Sequence, residues 1–274
     1  MIDQLHATGT EGAPLSDDPP VVVGRKGAVV TLRLNRPTAL NAVNVSMAIA
    51  ILAAAESIAA DDTVRAVLLS GAGRGFMAGG DLEVLQANPI QGAADLIEPL
   101  HKAVAILARI DAPIVAQVHG VVAGAGLSLM LLADFVVAAE TTKFNFAYAN
   151  IGASCDCGGS WHLPRLVGLR RALELSLLSE TISAEDARGL GMINYAVPAI
   201  NLDAKAMVLA QKLAEGPTRA LGHIRRLMRR SFDQDLDKQL ADEAAAFALA
   251  ASTEDFRAGV DAFLSKRKTT FIGA

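Results

Sequence analysis

Two glycine-rich turns carry the residues whose types and spacing best suit chemistry. The first turn spans residues 71–81 and follows the apolar run 64–70, and the second spans residues 120–126 and follows the run 113–119. Each turn leads from a β-rich segment into a helix-like segment, so each can present unpaired backbone N–H groups at one point. Two such donors stabilise the negative charge that develops on a carbonyl oxygen. The two turns therefore predict an enzyme that acts on a carbonyl compound.

The segments that must position these turns alternate between strand and helix patterns. Such alternation favours an α/β fold whose mostly parallel sheet is joined by crossover connections. The apolar periodicity predicts a hairpin within 21–34, helices near 46–60, 93–110, 127–132 and 169–179, and strands at 64–69, 114–118, 135–138 and 192–197.

Three regions follow from the order of these patterns. Residues 1–20 hold four acidic residues and no Lys or Arg, and they are interpreted as a flexible N-terminal tail without a signal sequence. Residues 21–200 form the predicted core, and 201–274 form a helical C-terminal region. Ser183 and Thr253 are the predicted N-caps of two helices, the first in a capping box with an Asp at its third position.

Composition narrows the functional class. A hydrophobic content of 52% is high for a soluble monomer, which favours a large core or apolar surface buried between subunits. A net charge of −4 provides no basic surface for nucleic acid. Cys155 and Cys157 are too few for a disulfide framework or a metal site, so we predict a cytoplasmic protein without a metal. Residues 113–133 lack charge, but glycines and polar residues interrupt them, and no membrane span is expected.

Neither turn is a nucleotide-binding motif, because neither has a following Gly-Lys-Ser/Thr or the dinucleotide glycine spacing. Together with their flanking residues, the turns resemble the crotonase (enoyl-CoA hydratase/isomerase) superfamily. The resemblance covers residue 21 to the end of the chain. The similar motifs are NRPTALNA (35–42), GFMAGGDL (75–82), GVVAGAG (120–126), LPRLVG (163–168), ISAEDA (182–187), GLG (189–191) and AFLSKRK (262–268).

This resemblance implies a crotonase-like α/β fold, with a repeated β-β-α spiral core and a helical C-terminal region that drives trimerisation. It also implies an acyl-CoA substrate in fatty acid metabolism, no cofactor beyond the coenzyme A thioester itself, and a homo-oligomer that is a trimer or a dimer of trimers. By motif position, the thioester oxygen would lie between the backbone N–H groups of Gly80 and Ala125. Other substrate contacts implied by the motifs are Ala39, Leu40, Ala78, Asp81, Leu82, Val122, Gly124, Phe263 and Lys266.

Departures from the family pattern bear on the reaction. Hydratases of the family usually have glutamates where this chain has Ser128 and Tyr148. Asp156 matches an aspartate used by related isomerases and by aryl-CoA dehalogenases. Burial near an apolar acyl chain would raise its pKa and let it act as base and then acid. The favoured prediction is an enoyl-CoA isomerase with Asp156 as proton shuttle, with Ser128 and Tyr148 as substrate contacts.

Three alternatives stay open. The first is an enoyl-CoA hydratase (a lyase), which needs a second acid or a water held by Ser128 and Tyr148. The second is a dehalogenase with Asp156 as nucleophile, and the third is a non-catalytic acyl-CoA binder. Candidate second acids or bases on nearby helices are Glu83, Glu98 and His101.

Two further groups of residues are given structural interpretations. His119 ends a strand beside the second turn and is interpreted as a structural histidine. The arginine cluster at 225–230 is interpreted as a solvated helix face, with contact to CoA phosphates as a weaker alternative.

Overall fold

The structure is a computed structural model, and it describes residues 18–274; most of the predicted tail at 1–20 therefore lies outside the described residues. The described strands are β1 (Val21–Lys26), β2 (Val29–Leu34), β3 (Ala66–Gly71), β4 (Ile114–Val118), β5 (Val121–Ala123), β6 (Phe135–Ala139), β7 (Lys143–Asn145), β8 (Ile182–Ser183) and β9 (Tyr195–Val197). The described helices are α1 (Val45–Ala59), α2 (Leu82–Ala87), α3 (Pro89–Leu107), α4 (Ala125–Leu131), α5 (Gly159–Val167), α6 (Leu169–Leu178), α7 (Ala184–Gly189), α8 (Leu202–Ala214), α9 (Thr218–Arg230), α10 (Leu236–Ala251) and α11 (Glu254–Leu264).

Two sheets organise these elements. The larger sheet has the order β1-β2-β3-β4-β6-β9, and all of its pairs are parallel except the β1–β2 hairpin. The smaller sheet has the order β5-β7-β8. The mostly parallel sheet predicted from the alternation of strands and helices is therefore confirmed.

The larger sheet is buried on both faces, as parallel sheets usually are. Because successive strand residues point to opposite sides, Val67 and Leu69 join the core that contains α1 and α3, whereas Leu68 lies in a second core. Four alanine or leucine positions of α8 (202, 206, 210 and 214) repeat every fourth residue and fill that second core. Helix α8 follows the predicted division at residue 200, and it packs directly on the sheet.

The helix starts follow local capping chemistry. Asp81 accepts a hydrogen bond from the Glu83 N–H group and caps α2. Ser183 begins α7 in a capping box with Asp186, and Thr253 caps α11, so both predicted N-caps are confirmed. Within residues 18–274, none of the helices combines the length and the hydrophobicity that crossing a bilayer requires.

The prediction for the arginine cluster is wrong for three of its four members. Arg225 lies 2.6 Å from the Asp134 carboxylate with a side chain only 6% exposed, and Arg229 contacts the same carboxylate at 2.9 Å. Arg226 pairs with Asp111 at 2.5 Å, and only Arg230 is largely exposed. The reason is that α9 packs its inner face against the segments that precede β4 and β6, so these guanidinium groups meet carboxylates and carbonyls rather than water.

Candidate active site

The two predicted turns are in direct contact. Gly79 (φ +112°) and Gly124 (φ +50°) adopt backbone conformations that favour glycine, and a Cβ atom on Gly124 would lie 3.5 Å from the Cα atom of Gly79. Gly120 turns the chain from β4 into β5, where any Cβ atom would overlap the Arg74 carbonyl oxygen. Gly120 therefore allows the two turns to approach closely, whereas at Gly79 and Gly124 it is the positive φ angle that favours glycine.

The Gly80 and Ala125 N–H groups remain available in this arrangement. Backbone groups on both sides of Gly80 are paired with Val43, through Val43 N–H to Gly79 O at 2.8 Å and Asp81 N–H to Val43 O at 2.9 Å. Ala125 is the first residue of α4, so its N–H group has no acceptor within the helix. Among the described residues, neither group donates a backbone hydrogen bond. The pair can therefore bind one oxygen atom at the positive end of α4.

A cavity of about 840 Å³ opens beside this pair of donors. It is lined mainly by apolar residues from the turns, α2, α3 and the 147–156 segment. The predicted site residues that line it are Ala39, Ala78, Gly80, Asp81, Leu82, Gly124, Ala125, Tyr148 and Asp156.

Five predicted site residues lie outside the lining. The Leu40 carbonyl accepts the Ala78 N–H group at 3.0 Å, and buried Val122 bridges β5 to the first turn, so both shape the site from behind. Ser128 is fully buried on α4. Phe263 is 84% exposed and borders a separate groove of about 360 Å³ between α9 and α11, and Lys266 lies exposed just after α11.

Sequence reasoning did not single out Arg36, which lines the same cavity. Its guanidinium group lies 3.1 Å from the Asp81 carboxylate and also donates to the Ala42 carbonyl. This contact joins the NRP segment to the start of α2. The sequence contained a signal for Arg36 as a site residue, because it lies inside the NRPTALNA motif that also holds Ala39 and Leu40.

Asp156, which is half-buried, ends a short chain of polar groups whose other members, Ser128 and Tyr148, are buried. The Tyr148 hydroxyl donates to Asp156 Oδ1 at 2.5 Å, and Ser128 Oγ lies 2.9 Å from the same hydroxyl. Burial, followed by the negative charge of Asp156, raises the pKa of Tyr148, so the phenol stays protonated and neutral. Since its one proton is given to Asp156, the Ser128 hydroxyl is the donor in the second hydrogen bond.

The loop that carries Asp156 is held by backbone contacts. Cys157 (φ +49°) and Gly158 (φ +78°) turn the chain sharply into α5. The Cys157 N–H group donates to His101 Nε2 at 3.1 Å, and the Asp156 carbonyl accepts the Gly159 N–H group at 2.9 Å. Burial, followed by the Asp156 charge, raises the pKa of the Cys157 thiol, so this free cysteine is protonated.

The other candidate acids and bases lie in different environments in the structure. Glu83 lines the cavity, whereas Glu98 forms an exposed ion pair with Lys102 at 2.7 Å. His101 lies outside that lining and accepts the Cys157 N–H group, as described above. His119 contacts the Gly73 carbonyl at 2.8 Å, in keeping with a structural role. In the described part of the chain, no three His, Cys, Asp or Glu side chains converge as a metal site would require.

Comparison with known proteins agrees with this arrangement. The family model described as enoyl-CoA hydratase/isomerase matches residues 24–274. A 1,2-epoxyphenylacetyl-CoA isomerase of Escherichia coli is 42% identical, with 89% of this chain and 95% of that protein covered. A 2,3-dehydroadipyl-CoA hydratase of the same organism is 34% identical (92% and 98% covered). The crystal structure of an enoyl-CoA hydratase from Mycobacterium smegmatis superposes with a TM-score of 0.87 at 33% identity (93% and 99% covered). The chain therefore belongs to the enoyl-CoA hydratase/isomerase family and has the crotonase-like fold that its motifs predict.

Proposed function

We propose that this protein is an acyl-CoA enzyme that stabilises a thioester enolate and shifts a carbon–carbon double bond, with Asp156 as the acid and base. The observation that supports this proposal is that Asp156 lines the same cavity as Gly80 and Ala125, whose N–H groups donate no backbone hydrogen bond among the described residues. Ser128 and Tyr148, which replace the glutamates expected of hydratases, are bonded to that carboxylate or to each other.

The proposed reaction begins with the thioester oxygen between the two N–H groups. Asp156 removes a proton from C2 of a 3-enoyl group, and the electron pair of that C–H bond forms the dienolate. Each oxyanion donor contributes roughly 3–4 kcal/mol to stabilising the charge on oxygen. Asp156 then returns the proton to C4, and the double bond moves from C3–C4 to C2–C3. A 1,3-shift of this kind needs one carboxyl group, because that group can accept a proton from C2 and then deliver a proton to C4.

Hydration of a 2-enoyl-CoA is the second candidate. It is favoured by Glu83, which lines the same cavity as Asp156 and would supply a second carboxyl group. Hydration ordinarily employs two such groups, one to activate water and one to protonate C2. Similarity to a 2,3-dehydroadipyl-CoA hydratase is also consistent with this candidate.

The substrate-binding part of the proposal follows the cavity lining. Ala39, Ala78, Asp81 and Leu82 line the cavity and would contact the CoA portion, without a further cofactor. Phe263 belongs to a different groove of its own chain, so its proposed CoA contact, like that of Lys266, would be made to another subunit.

A homo-oligomer, either a trimer or a dimer of trimers, is part of the same proposal, as is a cytoplasmic location. Helices α9 to α11 and the segments beside them leave large apolar side chains exposed, which a second copy can bury. Those more than half exposed are Ile224, Met228, Phe232, Leu236, Leu240, Phe247, Leu249, Phe263 and Leu264. Sedimentation equilibrium measures the assembly directly against the chain mass of 28.5 kDa.

The reaction is tested by incubating the protein with 3-enoyl-CoA and with 2-enoyl-CoA in deuterated water. Deuterium at C2 or C4 with migration of the double bond supports the isomerase. Formation of 3-hydroxyacyl-CoA shows the hydratase, and tight binding without exchange shows a non-catalytic binder. Either of the last two results overturns the isomerase proposal.

A further inference from the structure

A chain of three hydrogen-bonded side chains joins helix α4 to the Asp156 carboxylate. Ala125 and Ser128 are three residues apart on α4, so they lie on the same side of the helix about one turn apart. Ala125 provides one proposed oxyanion donor, and Ser128 begins the chain that continues through Tyr148 to Asp156. The helix that binds the oxygen is thus connected to the carboxylate that would move the proton.

The donors in this chain all point toward Asp156. Tyr148 is 9% exposed and keeps its proton, which it gives to Oδ1, while its oxygen accepts from the fully buried Ser128 hydroxyl. A carboxylate that receives a phenol proton in a hydrogen bond has one oxygen fixed in place. Oδ2 receives no hydrogen bond from Tyr148 or Ser128, so in the proposed reaction it would be the oxygen that exchanges protons with the substrate.

Neighbouring residues pack against the hydrogen-bonded side chains and restrict their movement. Gly159 begins α5 directly against it, and a Cβ atom there would overlap Ser128 Oγ and lie 2.8 Å from the Phe146 ring. The Phe146 and Tyr148 rings meet edge to face with centroids 5.1 Å apart. The phenol is therefore confined on its apolar side by an aromatic ring, and Ser128 is confined by the Gly159 backbone.

We propose that Tyr148 and Ser128 are positioning residues that fix the Asp156 carboxylate relative to the oxyanion-binding end of α4. This inference rests on the proposed function, because it assigns their task within that reaction. It differs from the substrate contacts that were predicted for these two residues from the sequence: the Tyr148 hydroxyl is directed at Asp156 and Ser128, and Ser128 is absent from the cavity lining.

The test compares Tyr148→Phe with Tyr195→Phe, which removes the other tyrosine hydroxyl of the chain on strand β9. Loss of a hydrogen bond to a charged group predicts that Tyr148→Phe lowers kcat about tenfold or more, with KM little changed. The acidic limb of the kcat/KM profile should move to higher pH, because the carboxylate loses a donor that favours its charged form. Tyr195→Phe should leave kcat and the pH profile unchanged.

The second variant in the test is Ser128→Ala. It should lower kcat less than Tyr148→Phe does, and it should add little further loss when Tyr148 is already Phe, because both act through one carboxylate. The assay measures double-bond migration by the wild type, and a wild type that shows no migration overturns both proposals. One outcome overturns this inference alone. In it the wild type is active and Asp156→Asn is inactive, but Tyr148→Phe keeps the wild-type kcat or the wild-type pH profile.

Discussion

Asp156 lies in a loop that is fixed on both sides by backbone contacts, and its side chain receives one strong donor. Asn has nearly the same size and keeps an oxygen to accept from Tyr148, but it cannot take up a proton. We therefore expect Asp156→Asn to lower kcat at least about 100-fold while the Kd for an acyl-CoA stays within about threefold. Single-turnover kinetics and isothermal titration calorimetry measure the two quantities.

Glu83→Gln is the matched control at this site, because Glu83 lines the same cavity without contacting Asp156 through a hydrogen bond in the described residues. For a single-carboxyl shuttle, Glu83→Gln retains most of the isomerase activity. Wild-type turnover by Asp156→Asn, or loss of double-bond migration in Glu83→Gln, would contradict the assignment of Asp156 as the sole shuttle.

Side-chain roles were only partly predictable from the sequence. The motifs predicted Gly80 and Ala125 as donors because backbone donors depend on glycine-rich turns, which leave a clear trace in the sequence. The contact between Tyr148 and Ser128 left no such trace in the sequence, since it depends on how β7, the 147–156 loop and α4 are oriented relative to one another. Spacing along the chain carries no information about where a phenol hydroxyl points.

At the scale of elements, the contact between the two turns depends on Gly126 in the first turn of α4. A Cβ atom there would overlap the Met77 carbonyl oxygen and lie 2.7 Å from the Met77 Cβ atom. Gly126→Ala should therefore push α4 away from the first turn and separate the two oxyanion donors. We expect a loss of roughly 100-fold in kcat, comparable to the loss of one oxyanion donor.

Gly189→Ala controls for the change of residue type, because Gly189 ends helix α7 and a Cβ atom there meets no atom within 4 Å. It should leave kcat unchanged. If Gly126→Ala also leaves kcat unchanged while its circular dichroism spectrum is native, the close approach of the turns is not needed for activity.

Helix α5 adds a dependence of stability on pH. Burial, followed by the charges of Arg229 and Arg165, lowers the pKa of His162 from 6.5 to about 4. Between these values the unfolded chain binds a proton that the folded chain does not, so stability falls as the pH falls from about 6.5 to about 4. The loss reaches roughly 3 kcal/mol when complete. Urea titrations at pH 7.5 and pH 4.5 measure it.

The variant His162→Gln isolates this contribution from that of the carboxylates. Its free energy of unfolding should fall less between the two pH values than that of the wild type, by about 2–3 kcal/mol. Equal decreases in the two proteins would show that His162 titrates normally in the fold.

The long elements were predictable because their apolar periodicity extends over several turns or a whole strand. Helix α1 and strand β4 lie within one or two residues of their predicted bounds. Strands β5 and β7 were missed because each has three residues, and β5 lies inside the glycine turn. Helix α5 was missed because it begins with glycine and contains Pro164, both unfavourable for a helix in isolation. Tertiary contacts decide whether such short segments form strands or helices.

At the scale of the whole molecule, Asp134 connects the C-terminal helices to the sheet. Its carboxylate contacts Arg225 and Arg229 of α9 and also accepts the Ile114 N–H group at the start of β4. Asp134→Asn would leave the buried Arg225 guanidinium without its counter-charge. We expect a destabilisation of about 3–5 kcal/mol, measured by urea unfolding at neutral pH.

Glu98→Gln is the comparison, since it breaks the exposed Glu98–Lys102 pair and should change stability by less than about 1 kcal/mol. Equal effects of the two substitutions would show that the Asp134 cluster is not essential to the fold. The sequence pattern gave no sign of this cluster: an arginine-rich helix and a distant aspartate become partners only after the chain has folded.

The hydrogen bonds that link Ser128 on α4 to Asp156 also have a consequence for motion. When this helix shifts as a rigid body, we expect the Ala125 N–H group and the Asp156 carboxylate to be displaced in the same direction, so that their separation changes little. The opposite wall belongs to α2 and α3, whose residues Leu82 and Ile90 are exposed. The Cys157 N–H group donates to His101 on α3, so a movement of α3 would also move the loop that carries Asp156, whereas α2 makes no such bond to that loop among the described residues. We therefore expect movements of α2, rather than of α3, to adapt the width of the cavity to acyl groups of different bulk.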